Sequence, residues 1–390
     1  MAIDRKIEPA IRDGMKEYPV VAIVGPRQSG KTTLAKKLFP DKPYRSLEHP
    51  GVRLRAERDP EAFLADFPDG AVLDEVQRVP ALLSYIQGIV DERGENGLFV
   101  LTGSSNLLLM ESVSQSLAGR CAVFTLLPFC LSEAAGLLPE GNVSAAVLSG
   151  GYPRLLAGNA KHGSFFANYI DTYVERDVRR LVNVKNTILF MRFLKLLAGR
   201  VGGILDSASI SNDCGVSTKT VQEWLSILQT SYVCFLLPPW HENRGKRLVK
   251  SPKVYFCDTG LACALAGIET EEQLERDPLR GALFENLVVL EAMKRAYGAG
   301  GRPELYFYRD SNGVEVDLVE RAGGKLLPTE IKSAATFHPD FCKHLRTFAG
   351  RYPDVCERPR VVYGGSEGFA FEGTSVVPFG QLGAAARRPE

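Results

Sequence analysis

The chain has 390 residues, of which 45% are hydrophobic and 24% charged, an ordinary composition for a globular protein of roughly two or three domains. Its formal net charge of +1 excludes a globally basic nucleic-acid coat but leaves room for local basic patches. No apolar run is as long as a membrane span, and the first residues lack a signal-peptide core. We therefore expect no membrane partner and a cytoplasmic location. The eight cysteines include no C-x-x-C pair, and we expect them to be reduced and mostly buried.

A glycine-rich loop follows the first predicted strand. The run YPVVAIV at residues 18–24 is apolar and β-branched, which is typical of a buried parallel strand. The pattern G-x-x-x-x-G-K-T comes next, and TLAKKLF continues as an amphipathic helix. In such a strand–loop–helix unit, backbone N–H groups and the helix N-terminus surround phosphates. The loop therefore predicts an ATP site formed by Gly25, Pro26, Arg27, Gln28, Ser29, Gly30, Lys31, Thr32 and Thr33.

Two consecutive acids follow the next apolar run. Residues 71–73 have the pattern of a second strand, so Asp74 and Glu75 are expected at its carboxyl end. Lys31 is expected to reach the β- and γ-phosphates, while the hydroxyl of Thr32 binds Mg²⁺. P-loop enzymes need an acid at this strand end for Mg²⁺, and Asp74 fits that part of the ATP site. Glu75 can orient and deprotonate the attacking water, which makes it the candidate catalytic base.

Polar residues also end the third predicted strand, GLFVLTGSSN. Ser104, Ser105 and Asn106 can sense the γ-phosphate or position water, and Asn106 is a candidate catalytic residue. The alternative is that these residues cap a helix. Arg120 lies just before a fourth apolar strand and is a candidate arginine finger for the developing phosphate charge. A structural ion pair is the alternative for this arginine.

These stretches together resemble an AAA+-type P-loop ATPase. The segments GPRQSGKTTL, LDEVQRVP, LTGSSN and SLAGR are similar to one prokaryotic family, which joins an AAA-type ATPase domain to a C-terminal domain of unassigned function, DUF4143. The resemblance covers nearly the whole chain. It implies ATP and Mg²⁺ at Lys31, Thr32 and Asp74, with Glu75 as catalytic base, and it leaves the biological role open.

The expected fold class is α/β. A parallel P-loop NTPase sheet of the AAA+ kind is followed by a helical and winged-helix segment and then by a C-terminal α/β domain of the PD-(D/E)xK kind. The expected boundaries are 1–135 for the ATPase domain, 136–200 for a helical linker region, 201–268 for the winged-helix segment and 269–385 for the nuclease-like domain.

The segment SASISNDCGVSTKTVQEWLSILQTS has the pattern of a helix–turn–helix. A helix that contains Ile210 should end near Gly215, and a candidate recognition helix should follow, capped by Ser217 or Thr218. Its exposed side would carry residues such as Lys219. A basic segment comes next and predicts a wing that reaches for phosphates, formed by Arg244, Lys246, Arg247, Lys250 and Lys253. Winged helices also dock proteins, so DNA and a protein partner both remain candidates.

The last domain contains acids on a predicted hairpin. GVEVDLVE, the turn RAGG and KLLPTEIKSA form two strands, whose alternation places Glu315 and Asp317 on one face. A hairpin that brings Asp317 beside Glu330 and Lys332 makes an Asp…Glu-x-Lys cluster. Two carboxylates suit a hard divalent ion, and a lysine can polarise a water, so Asp317 and Glu330 are candidate ligands of a second metal. Glu285, on the preceding predicted helix, is a further candidate.

This constellation resembles the core of PD-(D/E)xK nucleases, with Glu285 where the helix acid usually stands. Val316 departs from the motif, whose name has proline there. The alternative is a solvated salt-bridge face on an amphipathic strand, since such pairs are common and weak. A nuclease-like fold also does not by itself imply cleavage.

Two interpretations follow for the whole chain. In the first, an ATPase, with ATP and Mg²⁺ as cofactors, controls a DNA-associated C-terminal module that can be a nuclease. In the second, a nucleotide-gated switch or scaffold binds a protein partner and cuts nothing. An ATP-dependent homo-oligomer is compatible with both.

Overall fold

A computed structural model of the protein describes residues 3–104, 116–139, 141–158, 160–172, 187–241 and 251–383. The chain divides into two compact units. The N-terminal unit comprises Met1–Pro128, Thr230–Tyr232 and Arg295–Arg302, and the C-terminal unit comprises Phe129–Gln229, Val233–Lys294 and Pro303–Glu390. The domain boundaries expected from the sequence remain predictions.

The N-terminal unit is built around a parallel sheet. Its strands are β1 (Val20–Val24), β2 (Tyr44–Ser46), β3 (Val72–Asp74), β4 (Phe99–Gly103) and β5 (Cys121–Thr125). Its helices are α1 (Glu8–Glu17), α2 (Lys31–Leu38), α3 (Pro50–Arg58), α4 (Pro60–Ala65) and α5 (Leu82–Arg93). The five strands lie in the order β2-β3-β4-β1-β5, and every neighbouring pair is parallel.

Burial on both faces of this sheet explains its sequence pattern. All five residues of β1 are buried, and a hydrophobic cluster joins Val21 and Ile23 to Leu34 of α2 and Ile11 of α1. Such a strand needs a continuous apolar run rather than alternation. The α/β class and the P-loop fold are therefore confirmed, although the sequence pattern did not predict the short strand β2.

From residue 129 onward the chain forms further helices and strands. The helices are α6 (Val143–Ser149), α7 (Pro153–Leu156), α8 (His162–Tyr169), α9 (Thr187–Ala198), α10 (Ser207–Cys214), α11 (Thr218–Thr230), α12 (Thr259–Ala266), α13 (Glu271–Arg276), α14 (Arg280–Gly298) and α15 (Lys343–Arg351). The strands are β6 (Cys234–Leu237), β7 (Lys253–Phe256), β8 (Leu305–Arg309), β9 (Glu315–Ala322), β10 (Lys325–Lys332), β11 (Arg360–Tyr363), β12 (Phe369–Phe371) and β13 (Thr374–Pro378).

Helices α10 and α11 are separated by a short turn, as the sequence predicts. Gly215 follows α10 with φ 71°, and the hydroxyl of Ser217 accepts from the Thr220 N–H at 3.1 Å. Ser217 is therefore the capping residue of the two that the sequence offered. Trp224 is buried while Lys219 is exposed, as expected for an amphipathic second helix. Strands β6 and β7 then pair in an antiparallel hairpin.

The last part of the chain contains a mixed sheet in the order β12-β13-β11-β10-β9-β8. The predicted hairpin is present as β9 and β10, which pair antiparallel from Lys325 opposite Ala322 to Thr329 opposite Leu318. Its turn is shorter than the predicted RAGG, because Gly323 and Gly324 both adopt positive φ, 55° and 81°, and close it in two residues. The C-terminal α/β domain is therefore confirmed.

All eight cysteines lie in described parts of the chain and are free, six of them buried, in agreement with the sequence prediction. Among the helices that the structure describes, none combines the length and apolarity needed to cross a membrane.

Candidate functional site

The loop between β1 and α2 is shaped by its two glycines. Gly25 has φ 150°, and a Cβ on it would lie 2.2 Å from the carbonyl oxygen of Leu126. Gly30 has φ 97° and occupies the N-cap position of α2, where it offers no side-chain acceptor to the first N–H groups of the helix. Ser29 is fully buried, and its hydroxyl has no hydrogen-bond partner among the residues that the structure describes. The loop thus has polar groups that are available to bind an anion.

An arginine far from the motif in sequence contacts this loop through hydrogen bonds. Arg5 is 8% exposed, and its guanidinium donates to the carbonyl oxygen of Ser29 at 2.9 Å and to that of Leu127 at 2.7 Å. These contacts join the loop to the segment after β5. Arg5 was not predicted as a partner of the loop, because no local sequence pattern marks it.

Lys31 is buried at the start of α2. Its ammonium donates to the carbonyl oxygens of Gly25 at 3.0 Å and Pro26 at 2.7 Å. Burial lowers the pKa of Lys31 to about 8, against the opposing effect of Glu75 and Asp74. A bound phosphate would give this ammonium a charged acceptor within the same loop, and charge-assisted hydrogen bonds are stronger than those to carbonyls.

Asp74 lies at the carboxyl end of β3 and is surrounded by hydroxyl groups. The Thr32 hydroxyl donates to Asp74 Oδ1 at 3.0 Å, and the Tyr44 hydroxyl donates to Oδ2 at 2.7 Å. Thr102, on β4, also donates to Oδ1. Burial and the bond to Asp74 raise the pKa of Tyr44, so this hydroxyl stays protonated. The sequence analysis missed Tyr44 because it missed β2.

Glu75 follows Asp74 in a left-handed conformation, with φ 58°. Its carboxylate accepts from the Ser104 hydroxyl at 3.0 Å and from the Gln77 side-chain amide. Ser104, directly after β4, therefore contacts the candidate base, and the roles expected for it from the sequence stay predictions. Ser105 and Asn106 lie outside the described residues.

The residues present fit ATP and Mg²⁺. The carboxyl ends of the parallel strands β1, β3 and β4 meet at one edge of the sheet, which brings the loop and the acids together. Thr32 and Asp74 offer hard oxygen atoms side by side, and Lys31 lies beside them. Oxygen ligands of this kind are what Mg²⁺ takes beside a bound nucleotide.

Within its own chain, Arg120 does not lie at the carboxyl edge of the sheet, where the phosphate loop and the acids meet. It precedes β5, whose first residue Cys121 pairs with Val20 at the start of β1, so Arg120 lies at the amino end of the sheet. Its guanidinium forms an ion pair with Asp91, with Nη2 2.9 Å from Oδ2. Within one chain, the geometry therefore supports the structural ion pair rather than the arginine finger. Action on a neighbouring subunit remains a prediction.

A second cluster of charged residues lies on the β9–β10 hairpin. The Lys332 ammonium is 2.6 Å from Glu330 Oε1 and 3.4 Å from Asp317 Oδ2. Asp317 Oδ2 also accepts from the Ile331 N–H at 2.9 Å. The expected grouping of Asp317, Glu330 and Lys332 is therefore present. These carboxylates are buried rather than solvated, so the alternative of a solvated face does not apply.

Lys253 joins this cluster from β7. Its ammonium is 3.0 Å from Glu285 Oε1 and 2.8 Å from Glu315 Oε1, and its side chain is only 5% exposed. Burial lowers the pKa of Lys253, but the surrounding carboxylates outweigh burial and raise it overall. The prediction that Lys253 belongs to an exposed basic wing is wrong, because β7 turns its side chain inward. The other basic residues of the predicted wing, 244–250, lie outside the described residues.

The buried carboxylates carry raised pKa values. Burial, together with the negative charge of Asp317, raises the pKa of both Glu285 and Glu330 above the usual range. In the part of the chain that the structure describes, no group of three or more His, Cys, Asp or Glu side chains is arranged to hold a metal ion. Two ammonium groups, those of Lys253 and Lys332, already lie beside the carboxylates of Asp317 and Glu330. Their role as metal ligands stays a prediction.

Comparisons with known proteins agree with these features. A family model described as an AAA domain matches residues 17–135. Two families described as domains of unknown function match residues 141–272 (DUF8612) and 280–382 (DUF4143). The uncharacterized proteins Rv2008c of Mycobacterium tuberculosis and Mb2031c of Mycobacterium bovis are each 31% identical over 393 aligned residues, which cover 98% of this chain and 85% of theirs.

Solved structures show a weaker likeness. The Walker-type ATPase paby2304 of Pyrococcus abyssi aligns with a TM-score of 0.47 and 16% identity over 68% of this chain and 96% of that one. The RuvB Holliday junction branch migration motor of Thermotoga maritima aligns with a TM-score of 0.31 and 20% identity over 60% of this chain and 90% of its own. At these TM-scores neither alignment adds to the fold assignment, which depends on the strand order.

We predict that Lys31→Ala weakens ATP binding. The substitution removes a charge-assisted contact of about 1.5–3 kcal/mol, which corresponds to roughly a tenfold to hundredfold loss of affinity. Calorimetric titration with ATP and Mg²⁺ measures this change. Lys16→Ala is the matched control, since Lys16 is an exposed lysine on α1 that pairs with Asp13. Equal affinity in both variants would contradict the assignment of the loop.

We predict that Arg120→Ala and Asp91→Ala separate the two roles of this arginine. If Arg120 acts on ATP bound to a neighbouring subunit, only Arg120→Ala loses turnover, and mixing it with Lys31→Ala restores part of the activity. If the ion pair is purely structural, both variants change turnover equally and little. Steady-state ATPase rates, together with light scattering for an ATP-dependent oligomer, distinguish these outcomes.

Proposed function

Because the chain belongs to the prokaryotic family of AAA-type P-loop ATPases with a C-terminal DUF4143 domain, we propose that it hydrolyses ATP with Mg²⁺ and uses the nucleotide cycle to control its C-terminal module. The observation that carries the ATPase part is the 3.0 Å contact between the Thr32 hydroxyl and the Asp74 carboxylate. Lys31 and Glu75 lie directly beside this pair in the sequence and in the site.

The roles of the residues follow from their chemistry. Bound Mg-ATP would supply a phosphoryl group whose charge the cation partly neutralises. Lys31 and the backbone N–H groups of the loop hold the phosphates, while Thr32 and Asp74 hold the ion. Glu75 accepts a proton from the attacking water. Hydrogen bonds from Ser104 and Gln77 orient this carboxylate.

A winged-helix contact with DNA is the proposed output of the cycle. The support is the capped pair α10 and α11, followed by the antiparallel strands β6 and β7. The side chain of Lys219 is 86% exposed on α11, and its ammonium lies 4.0 Å from the Glu223 carboxylate. A helix of this kind presents exposed side chains to a groove while basic residues contact phosphates.

A second candidate is a nucleotide-gated switch that binds a protein partner and cuts nothing. The observation that favours it is Lys253, whose ammonium faces the carboxylates that metal-dependent cleavage would need for the ion. Both candidates share the ATPase cycle and differ in what the C-terminal module contacts.

We predict that Glu75→Gln binds Mg-ATP with nearly unchanged affinity but hydrolyses it slowly, by about 10²–10⁴-fold, because the shape is kept and the base is lost. Single-turnover ATP hydrolysis and calorimetry separate the two effects. Ser104→Ala is the matched variant, since it removes a hydrogen bond to Glu75 but leaves the base, and its loss should be smaller. Wild-type turnover in Glu75→Gln would place the base at another residue.

We predict that duplex DNA stimulates ATP hydrolysis and that Lys219→Glu reduces this stimulation. The charge reversal on α11 repels phosphates, and added salt should weaken the effect in the wild type because phosphate contacts release counterions. Lys161→Glu, an exposed lysine before α8, is the control and should behave like the wild type. An ATPase rate that is unchanged by DNA but rises with a protein partner would favour the nucleotide-gated switch.

A further inference from the structure

The carboxylate cluster of the C-terminal unit already contains a cation supplied by the chain. Lys253 Nζ lies 3.0 Å from Glu285, 2.8 Å from Glu315 and 3.9 Å from Asp317, measured to the nearest carboxylate oxygen of each. We propose that this ammonium occupies the position that a divalent ion would take in an Asp…Glu-x-Lys core. The ammonium then takes up the carboxylate oxygens that a metal would need, and the cluster binds no divalent metal.

The local structure of β7 builds this arrangement. Alternate residues of a strand point to the same side, and both Lys253 and Tyr255 contact Glu285 Oε1. The ring of Phe307 covers the ammonium, with its centroid 5.5 Å from Nζ. A lysine that is 95% buried, with three carboxylates and an aromatic ring around it, is part of a packed interior site rather than a surface charge.

Asp317 has little capacity left for a metal. Its Oδ2 atom accepts from the Ile331 N–H and faces Lys332, while its Oδ1 atom faces Lys253. A divalent ion placed between Asp317 and Glu285 would lie against the Lys253 ammonium, and like charges at such distances repel strongly in a buried site. Hard divalent ions also require several oxygen ligands directed at one point.

The Oε2 atom of Glu330 is buried and has no hydrogen-bond partner among the described residues. One oxygen of Glu330 is by itself too few ligands for a hard cation, and the other, Oε1, lies 2.6 Å from the Lys332 ammonium. Because Glu330 keeps this oxygen, the test includes Glu330→Gln.

The consequence concerns the function of the domain. A nuclease-like core whose carboxylates are paired with a lysine needs no metal ion to hold them together, so it suits binding rather than hydrolysis of a phosphodiester. This inference is independent of the ATPase activity, because none of its residues belongs to the nucleotide site.

Titration of Mn²⁺ into the full-length, nucleotide-free protein tests the proposal. An Asp74→Asn background removes the acid of the nucleotide site, so that binding there is suppressed. Calorimetry and melting curves should show no Mn²⁺ effect at the cluster in this parent. Adding Lys253→Met should create binding of one Mn²⁺ per chain and a Tm that rises with Mn²⁺, because a ligand of the folded state stabilises it. Adding Asp317→Asn to the Lys253→Met variant should abolish both the Mn²⁺ binding and the rise in Tm.

Lys325→Met, an exposed lysine at the start of β10, is the matched control and should behave like the parent. Mn²⁺ binding to the parent that Asp317→Asn or Glu330→Gln removes would overturn the proposal, whereas parent binding that survives both lies elsewhere and supports it. A folded Lys253→Met that binds no Mn²⁺ would also overturn it. If Lys253→Met does not fold, the parent titration decides alone.

Discussion

A buried charge must find its partners within the protein, and both charged sites of this chain are arranged around that requirement. Removing an ion from water costs far more than any single contact returns, so each buried carboxylate or ammonium needs several donors or acceptors. Asp74 has the hydroxyls of Thr32, Tyr44 and Thr102 around it, which come from three separate elements. Asp317 instead lies between two lysines and a backbone N–H.

The kind of partner separates the two sites. Hydroxyl groups are neutral, so they hold Asp74 without cancelling its charge, and the carboxylate remains able to attract a cation. Ammonium groups are themselves cations, and the one of Lys253 already lies among the carboxylates that a metal ion would need. The same residue types, acids beside a lysine, therefore make a site that is available to a cation in the first unit and one already occupied by an ammonium in the second.

Local motifs were predictable because their residues are contiguous or related by simple periodicity. The phosphate loop, Ser217 as one of two expected caps and the β9–β10 hairpin all depend on interactions across a few residues or on strand alternation. Contacts between distant segments were not predictable. Arg5 reaches a loop more than twenty residues away and a carbonyl at Leu127, and no pattern in its own neighbourhood marks that role. Strand β2 is too short to show a periodicity.

The sequence by itself determined the α/β class, the identity of the nucleotide loop and the acids at the end of β3, because each depends on local backbone geometry and on a continuous apolar pattern. Only the tertiary structure decided which charges face one another. Lys253 looks like a wing lysine in the sequence, since its neighbours are basic, yet its strand buries it among carboxylates from α14 and β9. Charge compensation acts through space over a few ångströms, and the order of residues along the chain does not encode which segments approach that closely.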